Sequence, residues 1–237
     1  RGILDRRIFT NQVNSIVMKS ISLNLFSIDE LSQEAQGQAF ERYRHFNVED
    51  THWFEGEYED FTAICKTIGI MIDKDSIFFS GFWSQGNGST FKSTIDEVKF
   101  IKGIKSEAWK EYAPTLELYF NDCPCDERVI RLIKKGFIEC SWSTETPNRG
   151  YWLETWTDYH YIPSRDTLQP NIDYELEKLD KWLRGCLNRL NSYLYKSLER
   201  QYEFETSDKS LKEVFEANEY LFTEDGKMAN NLLDLAI

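Results

Sequence analysis

Half of the positions from 49 to 60 are carboxylates: Glu49, Asp50, Glu55, Glu57, Glu59 and Asp60. No lysine or arginine lies among them, and Trp53, Phe54, Tyr58 and Phe61 are interleaved or adjacent. Like charges at helical spacing repel at a small cost in stability, and scattering them would avoid that cost. One use for the cluster is docking, in which carboxylates steer a basic partner and aromatic side chains anchor it. The same pattern also fits a solvated helix whose other face is an aromatic core stripe. On the docking reading the partner-binding residues are Glu49, Asp50, Trp53, Glu55, Glu57, Glu59 and Asp60. With His52, some of these carboxylates have the types of a divalent-cation set. An acidic helix start explains them without an ion, because carboxylates interact favourably with its exposed N–H groups.

A second string that invites chemistry is Ser80-Gly81-Phe82-Trp83-Ser84-Gln85-Gly86-Asn87-Gly88-Ser89. A phosphate-cradling loop needs a Lys-Ser/Thr pair and a following helix. Here no such pair is present, and strand-forming residues take the place of the helix. Asn87-Gly88 instead suits a two-residue type I′ turn, since both residues tolerate positive φ, and Gly81 within a strand pattern suggests a bulge or close backbone approach. Gly81, Trp83, Gln85, Gly86, Asn87 and Gly88 therefore form a structural hairpin motif. Cys123-Pro124-Cys125 lacks the second cysteine pair or nearby histidine that would complete a zinc set, and reads as a turn with two thiols. His45, His52 and His160 are isolated from one another, and no Gly-x-Ser-x-Gly or His-Glu-x-x-His string occurs. No catalytic residue, metal or cofactor is assigned. Spacing does not show which carboxylates meet in space, so a small metal-dependent hydrolase or nuclease stays open as an alternative.

Strands and helices alternate irregularly around these strings. Ile21, Leu23 and Leu25 alternate with polar residues, predicting a strand over 19–25. Ser27 and Glu30 form a capping box before a helix with Leu31, Ala35, Ala39, Tyr43 and Phe46 on one stripe. A second helix is expected over 50–68, stopping at Gly69. Strands are expected over 76–83 and 89–101, and the stretch 105–121 is ambiguous because Pro114 interrupts it. A short helix over 126–135, strands over 137–144 and 151–161, a long leucine-striped helix over 172–202 and a last helix over 209–218 complete the pattern. The predicted class is α+β: a mostly antiparallel sheet of hairpins with a long helix packed across it, in a single domain over 18–237.

Composition narrows the partners. The 237 residues are 41% hydrophobic and 29% charged, which suits a globular chain, and 15% aromatic, which suits a dense core or an adhesive surface. A net charge of −12 argues against gripping nucleic-acid backbones directly. No apolar run is long enough to span a membrane, and five scattered cysteines suggest reduced thiols, so a cytoplasmic protein is expected. Residues 1–17, with Arg1, Arg6 and Arg7 against Asp5 alone, differ in charge from the rest of this acidic chain. Met18 is read either as a natural start after upstream sequence, or as part of an ordinary N-terminal arm.

Three blocks carry a family resemblance: Ser27-Ile28-Asp29-Glu30-Leu31-Ser32 with Glu34-Ala35; Phe79-Ser80-Gly81-Phe82-Trp83-Ser84-Gln85-Gly86; and Glu216-Ala217-Asn218-Glu219-Tyr220 with Phe222-Thr223-Glu224-Asp225-Gly226-Lys227. Together they resemble a family of small phage and prophage proteins, mostly uncharacterised and in some cases labelled antitoxins. The chain departs from that pattern at Asn87, where the family usually has Asp. It departs again near Trp152, where relatives often have His within a pattern like Arg149-x-Tyr151-x-x-x-Thr155. The resemblance and the acidic cluster together suggest a bacteriophage accessory protein. Such an anti-defence or anti-CRISPR inhibitor would bind a host nucleic-acid-handling or defence protein through its basic surface. The alternative partner is a cognate toxin, neutralised by an antitoxin.

Overall fold

The computed structural model describes residues 24–161 and 169–229. The expected extension 1–17, the start at Met18 and most of the expected strand 19–25 lie outside the described residues. Helices α1 (Gln33–Arg42), α2 (His52–Thr67), α3 (Glu97–Lys105), α4 (Glu127–Lys134), α5 (Gln169–Glu205) and α6 (Asp208–Ala217) accompany strands β1 (Ile70–Phe79), β2 (Ser89–Ile95), β3 (Glu139–Glu145) and β4 (Glu154–His160). The chain separates into two compact units, one running to Arg42 and resuming at Lys212, the other Tyr43–Leu211. Among the described residues no helix is long and apolar enough to cross a membrane.

In the first unit the expected capping box forms. Ser27 N donates to Glu30 Oε2 at 2.8 Å, and the Ser27 hydroxyl lies 3.1 Å from the same oxygen. It closes the short 3-10 turn Ile28–Glu30 rather than the helix. The helix starts a few residues later, where the Ser32 hydroxyl accepts from Ala35 N at 3.2 Å. Because α1 ends at Arg42, Tyr43 and Phe46 of the expected stripe fall beyond it. Ala35 and Ala39 are small where Gly226 approaches: a Cβ on Gly226 would sit 2.4 Å from the Ala35 carbonyl oxygen. Phe215 packs edge-on against Phe222 with ring centroids 5.2 Å apart.

The second unit holds the sheet, in the order β1-β2-β3-β4 with every pairing antiparallel. α5, at 37 residues, is about 55 Å long at 1.5 Å per residue. Its buried stripe of Leu179, Leu183, Leu187, Leu190, Leu194 and Leu198 packs into one core with Phe61 and Ile64 of α2 and Phe91 and Ile95 of β2. This is the α+β arrangement the sequence predicts, with the long helix against the hairpin sheet.

The boundaries of β1 and β2 differ most from expectation, and β4 starts at Glu154 rather than at 151. β1 begins at Ile70, directly after Gly69 (φ +84°), and reaches Phe79 through an irregularity between Ile72 and Ile77. β2 stops at Ile95 because Asp96 caps a new helix, its Oδ1 accepting from Lys99 N at 2.8 Å. The residues assigned to the end of a strand thus form α3, whose Phe100, Ile101 and Ile104 fall on one helical face and are buried. The ambiguous stretch after it contains only the 3-10 turn Ala108–Glu111 before α4.

Candidate functional site

The glycine-rich string connects β1 to β2, whose last pair is Phe79 with Ser89. The connection is a nine-residue loop, 80–88, and not the two-residue turn expected at Asn87-Gly88. Ser80 N donates to the Gly88 carbonyl at 3.0 Å, Gly88 N donates to the Ser80 hydroxyl at 3.1 Å, and that hydroxyl lies 3.2 Å from Asn87 Oδ1. At the tip Asn87 N donates to the Ser84 carbonyl at 3.2 Å, with Gly86 at φ +87° in the third turn position, where a left-handed backbone is required. Positive φ therefore falls on Trp83 and Gly86, and on neither Asn87 nor Gly88. Asn87 serves through its side chain. Gly88 is constrained by space: a Cβ there would lie 2.3 Å from the Tyr151 carbonyl oxygen. Gly81 shows neither the bulge nor the close approach expected of it. It lies past the end of β1 with open space at its Cβ position, and its carbonyl accepts from the Tyr195 hydroxyl at 3.1 Å.

Trp83 stands out in this loop. Its backbone is left-handed (φ +64°) and its side chain is 68% exposed. For a bulky L-residue that conformation costs roughly 1–2 kcal/mol, and such strain tends to persist where surrounding structure imposes it. The surroundings here are aromatic. Trp83 lies 5.7 Å from Phe82 and 5.6 Å from Tyr202 between ring centroids. Tyr202 in turn meets Trp53 at 5.6 Å, and its hydroxyl lies 3.1 Å from His45 Nδ1. Gln85 and Gly86 beside it are exposed.

The seven residues proposed as one docking face do not share one face. Helical periodicity turns Trp53 and Glu57 inward together. Trp53 sits edge-on to Phe54, Phe79 and Tyr202 and packs against the core, so it is a packing residue and not an exposed anchor. Glu57 is half-buried and accepts a hydrogen bond from the Ser197 hydroxyl of α5. Asp60 is exposed but accepts from the Tyr112 hydroxyl at 2.8 Å. Glu49, Asp50, Glu55 and Glu59 are exposed. Asp50 pairs with His52, Oδ2 to Nδ1 at 3.1 Å, and also accepts from His52 N at 2.9 Å. Those bonds hold the Asp50 carboxyl below its usual range. They raise the His52 imidazole above its usual value, with the charge of Glu55 adding to the effect. No group of three or more His, Cys, Asp or Glu side chains among the described residues has the geometry to hold a metal ion.

The thiols are not activated. Burial pushes Cys125, Cys140 and Cys186 up to about 12 and raises Cys65 and Cys123 as well. The Cys-Pro-Cys string sits just before α4, whose N-cap is Asp126: its Oδ1 accepts from Arg128 N at 2.8 Å. The exposed Trp83 belongs to the hairpin motif read from the sequence, where it stands as a structural residue and not as a candidate contact. Its signal was an aromatic pair set among glycines, which a hairpin turn alone does not need.

No curated protein and no solved structure is similar to the chain. A family model described as a domain of unknown function (DUF8835) matches residues 53–208, more than half of the chain. The match takes in α2 from Trp53 onward, the whole sheet, the Trp83 loop and α5. The chain belongs to the DUF8835 family.

Proposed function

We propose that the protein is a phage-type accessory factor that binds and inhibits a host nucleic-acid-handling or defence protein. The observation that carries the reading is Trp83, an exposed indole held in a left-handed backbone by a packed aromatic lattice. A rigid aromatic on display is the usual anchor of a protein interface, because it offers large contact area with little left to order on binding. The exposed carboxylates Glu49, Asp50, Glu55 and Glu59 supply negative charge suited to a basic partner. Grooves that bind phosphate backbones are lined with lysine and arginine, so a nucleic-acid-handling protein offers the complementary charge. The phage character rests on the three sequence blocks that resemble phage and prophage proteins.

The test is affinity capture from lysate of the host bacterium with the full chain as bait, beside Trp83→Asn and the triple variant Glu49→Gln, Glu55→Gln, Glu59→Gln. Asparagine tolerates the left-handed backbone, so Trp83→Asn removes the indole while keeping the loop. The expected result is a nucleic-acid-handling partner, captured by the parent, lost with Trp83→Asn and weakened in the triple variant. Equal capture by all three baits would overturn the reading. Recovery of a toxin encoded beside the gene would instead make the surface that of an antitoxin.

A further inference from the structure

A cavity of about 600 Å³ lies between α3, α4, α5 and the irregular segment that precedes α4. That size falls within the range of sites for small organic molecules. Its walls include Ile104 of α3, Ile130 of α4, Trp182 of α5, and Trp109 and Phe120 of the connecting chain. The polar edges of the two indoles are already used. Trp109 Nε1 donates to the Leu116 carbonyl at 3.1 Å, and Trp182 Nε1 donates to the Asn121 carbonyl at 2.8 Å. Both bonds also tie down the irregular segment, as does Arg189, which donates to the Tyr119 carbonyl at 2.5 Å. The two indoles therefore give the cavity apolar surface and no free hydrogen-bonding group, while Asn121 and Asp122 add polar surface beside them.

The rim differs in character. Lys105, at the end of α3, and Arg131 and Lys134, in the last turn of α4, line the cavity and make no ion pair among the described residues. In this acidic chain many of the other cations are paired: Arg44, Lys92, Lys110, Arg128, Lys178 and Arg184 each meet a carboxylate. Three acids share the rim. Glu107 is held by Lys110 at 2.9 Å, leaving Asp122 and Glu127. Glu127 belongs to the first turn of α4, where the helix dipole favours it, whereas Arg131 and Lys134 stand in the last turn. The lining charges balance, three cations against three acids, with Lys110 shared between Glu107 and Glu117. Of those that make no ion pair among the described residues, three are cations and two are acids, so a monoanion is met locally by Arg131 and Lys134 and a dianion is opposed by Asp122 and Glu127.

We propose that this cavity is a binding site for a small amphipathic monocarboxylate, its apolar body against Ile104, Trp109, Phe120, Ile130 and Trp182 and its carboxylate at Arg131, Lys134 and Lys105. The arginine fork suits a carboxylate, which it grips through two parallel N–H bonds. The site uses none of the residues of the proposed docking surface and stands or falls separately from it.

The experiment titrates the full chain with decanoate, decanol and decyltrimethylammonium, following tryptophan fluorescence and calorimetry. Decanoate binds more tightly than decanol by roughly tenfold, the scale of one charge-assisted contact, and the ammonium binds most weakly. The double variant Arg131→Gln, Lys134→Gln brings decanoate down to the level of decanol and leaves decanol unchanged. Glu127→Gln strengthens decanoate binding, because it removes an opposing charge. Ile104→Trp fills the cavity and abolishes binding of all three. Should that variant fail to fold, the charge variants alter only exposed side chains and still decide the matter. Equal affinity for decanoate and decanol in the parent would overturn the proposal. So would no binding of decanoate below about 1 mM, or decanoate binding indifferent to the double variant.

Discussion

At the scale of single residues, side chains that look alike in sequence divide sharply once their neighbours are known. Gly81 and Gly88 are both glycines of one motif, yet a methyl group on Gly81 would meet open space, whereas on Gly88 it would meet the Tyr151 carbonyl oxygen at 2.3 Å. Gly81→Ala should leave the melting temperature within a degree or two, while Gly88→Ala should lower stability by about 2 kcal/mol or more, as overpacking does; thermal denaturation of the two variants decides it. The buried pair Ser93 and Thr144 gives a second case. The Thr144 hydroxyl has one proton and gives it to the Phe91 carbonyl at 2.8 Å, so Ser93, 2.8 Å away, must donate to Thr144. Thr144→Val removes the acceptor and strands the Ser93 hydroxyl, at a cost of about 1–3 kcal/mol. Combining it with Ser93→Ala should recover part of that loss, and denaturant unfolding of both variants measures the coupling. A third prediction concerns charge. His52 has its imidazole raised by Asp50, and Asp50 its carboxyl lowered by His52. The raised histidine stabilises the fold at pH below its ordinary value of 6.5, and that contribution is lost as pH rises through the higher folded value. The lowered aspartate stabilises above its ordinary 3.8, and that contribution is lost as pH falls through the lower folded value. The pair therefore contributes most between the two, slightly, since both side chains are exposed. In an NMR titration His52 should titrate above 6.5, and Asp50→Asn should lower it towards that ordinary value, with the charge of Glu55 still acting to raise it.

Secondary-structure elements follow local signals closely where those signals are strong, and the exceptions have identifiable causes. The leucine stripe of α5, the termination at Gly69 and the pair of hairpins were legible because burial and glycine placement leave a periodic trace. The switch from β2 to α3 was not, because Val98, Phe100 and Ile101 fit a strand as readily as a helix, and Asp96 as a cap is decided only by its bond to Lys99. That cap yields a test at this scale: Asp96→Ala should destabilise by about 1 kcal/mol, with amide exchange faster in the first turn of α3, and unchanged exchange there would show that the cap does not hold the helix start. The candidate site was legible only in part. The carboxylates were visible as a cluster, but composition does not report helical phase. The alternation of Glu55 and Glu59 outward with Trp53 and Glu57 inward therefore appeared only with the packing of α2 against β1 and α5. Trp83 was visible as a member of the hairpin motif, but its exposure on a left-handed backbone was not, because that conformation at a tryptophan has no signature in the string.

Across the whole molecule, charge is unevenly apportioned, and that distribution carries the last prediction. The chain bears −12 overall, yet α3 and α4 hold six cations, Lys99, Lys102, Lys105, Arg128, Arg131 and Lys134, against Glu97 and Glu127. The start of α2 and the segment before it hold Glu49, Asp50, Glu55 and Glu59 at the surface, with His52 the nearby titrating cation. A basic partner approaching such a molecule is drawn to the acidic region over about 8–10 Å at physiological salt, so association should be fast at low ionic strength and slow as salt rises. Replacing Glu49, Glu55 and Glu59 with glutamine changes the net charge from −12 to −9, three negatives being removed. None of the three is buried, so the melting temperature should hardly move. With the partner recovered by capture, the triple variant should show a lower association rate and a shallower dependence of that rate on salt, with dissociation little changed. Trp83→Asn should do the reverse, leaving the salt dependence intact and speeding dissociation, because an anchor acts after encounter. Stopped-flow kinetics over a salt series separates the two effects. If the triple variant keeps the parental salt slope, the carboxylates of α2 are a solvated face and the partner is held by the aromatic loop alone.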